Sequence, residues 1–216
     1  MKRNLILASL AAVLVFSAFT GSKHTPAPDG TAAVAVAAKA KSYAVVVEKS
    51  ELKWNAKKIT GEHYGTINLR EGQILVSGSK PTGGSFVIDM PSLVCTDNGR
   101  VGAHLKNDDF FGVDKHPTAA FKITSLKPIA KAAAGTPNYT VVGDLTIKGI
   151  TQPVTFPALI TVKDGVATAK GDVTVDRTKY DIRYRSSSFF ENLGDKAIYD
   201  EFTVSLNVVA QQAAAL

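Results

Sequence analysis

Residues 176–201 hold the densest chemistry in the chain. Asp176, Asp181, Glu191, Asp195, Asp200 and Glu201 are interleaved with Arg177, Arg183, Arg185 and Lys196, and with the aromatics Tyr180, Tyr184, Phe189 and Phe190. Paired carboxylates can divide acid and base work when one of them is held protonated, as in glycoside hydrolysis. Arginine neighbours act the other way, because they favour the ionised carboxylate. The pattern therefore points to an architectural, ligand-gating network, with an envelope hydrolase or isomerase using these carboxylates as the alternative. Other chemistries lack their parts. The histidines are His24, His63, His104 and His116, and no two stand at a His-x-x-x-His spacing. No metal site is expected, since zinc sites set their ligands at helix or turn spacing. Ser186, Ser187 and Ser188 lie in no G-x-S-x-G elbow, and there is neither a P-loop nor a G-x-G-x-x-G turn. No cofactor is expected.

The elements that must position these groups read as strands. Apolar and polar residues alternate through 43–47, 52–59, 84–90, 118–126, 139–148, 154–162, 166–175 and 199–209. Period two gives each strand one apolar and one wet face. The stretch 64–77 reads as two strands, 64–70 and 73–77, turning at Glu71-Gly72. Asp164-Gly165 is a two-residue hairpin signal. Helical material is confined to short turns in 97–112, with Asp97 and Asp108 as candidate N-caps, and in 178–196. Eight or more antiparallel strands joined by short turns make an all-β barrel or sandwich. Ala167, Ala169 and Gly171 fall on one inward face, with Gly143 and Gly149 nearby. Small inward residues would leave volume for one ligand inside a barrel of about eight strands. Large residues such as Phe156 and Phe202 could instead fill it, and the chain would then be a cavity-free structural or interaction barrel.

The chain ends read differently. Lys2 and Arg3 precede an apolar run of 15 residues, Leu5–Phe19, followed by Thr20, Gly21 and Ser22. That is the pattern of a cleaved signal peptide over 1–22, too short to span a bilayer comfortably. Its removal takes the formal charge from +6 to +4 through loss of Lys2 and Arg3. Residues 23–42 are an Ala/Pro-rich flexible leader, 43–210 the folded domain and 211–216 a tail. The basic residues are scattered, which is a solvated surface and not a nucleic-acid footprint. Cys95 is the only cysteine, so no internal disulfide forms and a buried, inert thiol is expected.

Several words occur in an order that resembles the YceI-like family: EKSELKW (48–54), GGSFVIDM (83–90), HLKNDDFFGVDKHPTAAFKI (104–123), GDLTIKGITQPVTF (143–156) and VDRTKYDIRYRSSSFFENLGDKAIYDEFTVSLNVVA (175–210). The resemblance implies an antiparallel eight-stranded lipocalin-like barrel with one or two short helices. It also implies a periplasmic or secreted, non-catalytic protein that binds a polyisoprenoid or other fatty-chain lipid, with transport or storage as the role to expect. On that reading the ligand-binding residues are Trp54, Phe86, Phe110, Phe111, Phe121, Leu145, Phe156, Ala169, Tyr180, Arg183, Tyr184 and Phe189, with Arg183, Tyr184 and Arg185 at the mouth. A shared tunnel mouth or an exposed edge would allow a homodimer. Arg185 and Ser187 stand where the resembled segment would carry glycines.

Overall fold

The structure, a computed structural model, describes residues 40–212. The expected signal peptide and nearly all of the expected leader fall outside that range. Nine strands run in order: β1 (Lys41–Val45), β2 (Glu51–Lys58), β3 (Gly61–Ser77), β4 (Lys80–Cys95), β5 (Thr118–Pro128), β6 (Tyr139–Ile147), β7 (Ile150–Lys163), β8 (Val166–Asp176) and β9 (Ile198–Gln212). One helix, α1 (Gly99–Lys106), follows β4.

Every pairing is antiparallel. Strands β2 to β9 each pair with the next, and β9 returns to β2, which closes an eight-position barrel. The ninth strand adds no position. β1 and β2 lie end to end between β3 and β9: Tyr43 pairs with Ile74 and Gln212, and Trp54 pairs with Gly65 and Val204. A single 3-10 turn, Val47–Lys49, interrupts them. Ser50 bridges the break, its hydroxyl donating to the Val46 carbonyl and accepting from the Val209 amide.

Closure gives every described strand a partner on both sides and turns one face of each inward. The two ends of the barrel differ. At one end Tyr43, Ile74, Val76, Ala167 and Ala210 form a separate buried cluster, the floor. At the other end lie the turns at 59–60 and 148–149, the α1 segment, and the long 177–197 connection.

Several local expectations change. Residues 61–77 form one continuous strand with no turn at Glu71-Gly72. The chain bulges against β4 between Leu69 and Glu71 instead. Gly72 permits a close approach, since a Cβ there would lie 2.8 Å from the Phe86 ring. The cap of α1 is Asn98, whose side chain accepts from the Arg100 and Val101 amides, and not Asp97. Gly149 faces no interior. With Lys148 it makes the tight β6–β7 turn, both at positive φ (52° and 75°), the backbone that two-residue hairpins need. Asp164 and Gly165 make the same kind of turn between β7 and β8. β9 continues through Gln212, past the expected start of the tail.

Candidate functional site

The inward faces enclose a cavity of about 520 Å³ running from the mouth toward the floor. Its wall is overwhelmingly apolar, with Leu52, Ile67, Leu69, Met90, Val141, Ile147, Ile160, Val175 and Val208 among the side chains that face it. A volume of this size lies in the usual range for small-molecule sites.

Aromatic rings set its shape. Phe86 (β4) and Phe121 (β5) stack at 6.3 Å, and Phe121 meets Phe156 (β7) at 5.8 Å. β6 lies between β5 and β7, yet the rings reach each other because β6 carries Gly143 at the crossing. A Cβ on Gly143 would fall 2.4 Å from the Phe121 ring. The room that this glycine leaves is thus occupied by an aromatic side chain. Of the three small residues on β8, Ala169 faces the cavity, Ala167 is buried in the floor, and Gly171 is outside the lining, close against Ala158.

The mouth is a lid of two segments. α1 contributes His104 and Leu105, and the turn after it contributes Phe110 and Phe111. The His104 ring sits edge-on to both Phe110 (5.1 Å) and Tyr184 (4.8 Å), and Phe110 lies 5.3 Å from Tyr184. This triple contact ties the α1 segment to the 177–197 connection.

That connection is itself held by one buried arginine. Arg177 (5% exposed) donates from Nε to the Tyr199 carbonyl, from Nη1 to the Ile182 and Tyr184 carbonyls, and from Nη2 to the Ile198 carbonyl and the Asp200 carboxylate. Burial pulls its pKa down, against the pull of Asp200 and Asp176. Asp200 also accepts from the Ser188 hydroxyl at 2.6 Å. The other carboxylates have separate tasks. Asp176 caps Thr178, and Asp181 pairs with the exposed Arg183 at 2.7 Å. Tyr180 is fully buried, its hydroxyl has no hydrogen-bond partner among the described residues, and burial pushes its pKa up to about 12.

A second polar group stands at the rim. His63 Nδ1 lies 2.7 Å from Asp97 Oδ2, while Asp97 Oδ1 accepts from the Tyr64 amide and the Cys95 thiol. The hydrogen bond from His63 is the main reason that the Asp97 pKa falls to about 2; burial raises that of Cys95. The ligand-type atoms of His63, Cys95 and Asp97 lie within 4.8 Å of one another. Sequence spacing conceals this triad, because β3–β4 pairing brings 63 and 95 together.

The model of the YceI-like domain matches residues 43–210. The chain belongs to the YceI-like family. Among curated relatives, a UPF0312 protein of Yersinia enterocolitica is 34% identical over 99 residues, 45% of this chain and 48% of that protein. A UPF0312 protein of Ectopseudomonas mendocina is 30% identical over 96 residues, 44% and 48% of the two chains. The match spans about half the length of these relatives. Among solved structures, Burkholderia cenocepacia BcnA has a TM-score of 0.62 at 21% identity, over 77% of this chain and 99% of that one. A polyisoprenoid binding domain from Saccharophagus degradans, implicated in plant cell wall breakdown, has a TM-score of 0.56 at 14% identity, over 79% and 98%. At these identities the two structures share the fold.

Within the YceI-like barrel, Trp54, Phe86, Phe110, Phe111, Phe121, Leu145, Phe156, Ala169 and Tyr184 all line the one cavity. Tyr180, Arg183 and Phe189 do not. Tyr180 packs in the core behind the lining, and Phe189 is 45% exposed beneath the Arg183 guanidinium, 4.8 Å from its ring centre. Phe110 and Phe111 both reach inward because they sit in a turn, where neighbours need not alternate. The mouth also contains Lys58, His63, Asp195 and Lys196, none of which the sequence places there. They come from the end of β2, the start of β3 and the 3-10 turn Gly194–Lys196, and only the barrel ring joins them.

Proposed function

We propose that this protein binds a long-chain amphiphile, a polyisoprenoid or fatty-chain lipid, without transforming it. The observation that carries this reading is the apolar cavity of about 520 Å³, closed at the floor and opening at the lid. Each square ångström of chain buried there contributes roughly 25 cal/mol, and the aromatic wall supplies contact without polar groups that would need partners. The polyisoprenoid binding domain among the similar structures supports the same ligand class.

The carboxylates favour binding over catalysis. Asp176, Asp181 and Asp200 are occupied by a cap, Arg183 and Arg177 respectively, and Asp195 is the one carboxylate lining the cavity among the described residues. The apolar run behind Lys2-Arg3 supports a place in the cell envelope, where carrying or storing such a lipid is the role that fits.

Native mass spectrometry of the purified protein, followed by lipid extraction, tests the reading. A co-purified chain lipid is expected, and Ala169→Phe should abolish it by filling the cavity wall. A lipid-free protein that also fails to take up added amphiphiles would overturn the proposal.

A further inference from the structure

We propose that the mouth selects amphiphiles with an anionic head group, a carboxylate or phosphate. This inference rests on the chain-binding reading above and adds the chemistry of the other end of the ligand. Three chain segments are joined at one point of the rim. The Ile59 amide donates to the Ala197 carbonyl at 3.2 Å, and the Ile198 amide donates to the Arg185 carbonyl at 2.9 Å. Each segment brings a cation: Lys58 from the end of β2, Lys196 from the turn before β9, and Arg185 from the long connection.

All three line the cavity. Lys58 continues the alternating face of Leu52, Trp54 and Ala56, all of which line the cavity, so it stands where that wall reaches the rim. Its strand neighbour Lys57 borders the same mouth. None of the four forms an ion pair among the described residues, whereas Arg183, Lys115 and Lys53 each hold a carboxylate. Glu62, opposite Lys57 on β3, accepts from Asn55 instead. Arg185 lies over the Tyr184 ring at 5.1 Å, which leaves its guanidinium edge free to donate. One carboxylate, Asp195, faces these cations, and His63 is already engaged by Asp97.

An apolar chain in the barrel would therefore end among cations in excess. An ammonium head would meet like charge there, and a neutral head would gain only hydrogen bonds. Charge-assisted bonds to an anion are the stronger contacts.

The test uses one chain with four heads: hexadecanoate, hexadecyl phosphate, hexadecanol and hexadecylamine, titrated into delipidated protein below their aggregation thresholds. The anions should bind roughly tenfold tighter than the alcohol, and the amine weakest of all. Added salt should shrink that gap, because the rim is exposed. The ratio of hexadecanoate to hexadecyl phosphate tells which anion the rim prefers. Lys58→Gln/Lys196→Gln, and separately Arg185→Gln, should narrow the gap between the anions and the alcohol, chiefly by weakening the anions. Equal affinities for all four heads would overturn the head-group inference and leave the chain reading standing. If no head binds, both fall.

Discussion

At the scale of single residues, Arg177 and Arg185 make opposite claims. Arg177 satisfies four carbonyls and one carboxylate from inside the connection it holds. Arg177→Ala removes that donor from all five groups, and the Asp200 charge, left with the Ser188 hydroxyl alone, is only partly exposed. The expected loss is about 3 kcal/mol, a fall in Tm of roughly 6–12 °C for a domain of this size, read by thermal melt. Arg185 instead sits in the left-handed region (φ 49°) on the surface. A side chain there costs roughly 1 kcal/mol, against which stand the ring contact with Tyr184 and the looser unfolded chain that glycine brings. Arg185→Gly is therefore expected to change stability by less than ~0.5 kcal/mol while lowering uptake of an anionic amphiphile. If Arg185→Gly unfolds the protein and Arg177→Ala melts normally, the two roles are reversed. The left-handed backbone also explains why a glycine is the residue expected at 185 in the family's pattern. Ser187 has no such backbone, and nothing in the structure explains a glycine there.

At the scale of elements, the crossing of β5, β6 and β7 depends on an absent side chain. Gly143→Val would drive a branched group into the Phe121 ring and against the Lys122 carbonyl, which would lie 2.6 Å from the new Cβ. A loss of about 1–3 kcal/mol is expected, along with reduced lipid uptake because Phe121 must turn into the cavity. A variant with full stability and full uptake would show that the ring has room elsewhere.

The rim triad gives a pH effect at the same scale. Asp97 has its folded pKa lowered from 3.8 to about 2. A depressed carboxylate contributes stability that is present above the unfolded value and lost as pH falls through the folded one. Melting temperature should therefore drop between pH ~4 and ~2, and Asp97→Asn should flatten that part of the profile. A profile unchanged by the substitution would show that other carboxylates govern acid unfolding.

Legibility in the sequence also varies from element to element. Alternation located most strands, because each has one face in the cavity wall and one in water. Glu71-Gly72 looked like a turn because glycine usually marks one. Here it serves close packing against Phe86 inside a long strand. The aromatic lining was expected only from the family resemblance; Trp54, Phe86, Phe121 and Phe156 lie on the inward faces of β2, β4, β5 and β7, where a packed core would have read the same. Tyr180, Arg183 and Phe189 lie in an irregular connection where no period tells inside from outside. Lys58 and Lys196 are 138 positions apart in number, and only the β2–β9 closure makes them neighbours.

At the scale of the whole molecule, a ligand that occupies the cavity binds the closed barrel and not the unfolded chain. Stability should then rise with ligand by mass action, by about 2.7 kcal/mol at a hundredfold excess over Kd. Delipidated protein should melt several degrees below the loaded form, and refilling with a chain amphiphile should restore it. Identical melts for the two forms would argue that the lipid sits outside the barrel.

The seam between β1 and β9 has a consequence for how the barrel can be held. Tyr43 pairs with Gln212, and the Gln212 amide donates to the Gly165 carbonyl in the turn at the floor. Both ends of the described domain thus leave from the side opposite the lid. A tether joined at residue 40 or residue 212, whether a linker to a sensor surface or a fused partner domain, departs from the closed base. The entrance lies at the other end of the barrel from both of these points.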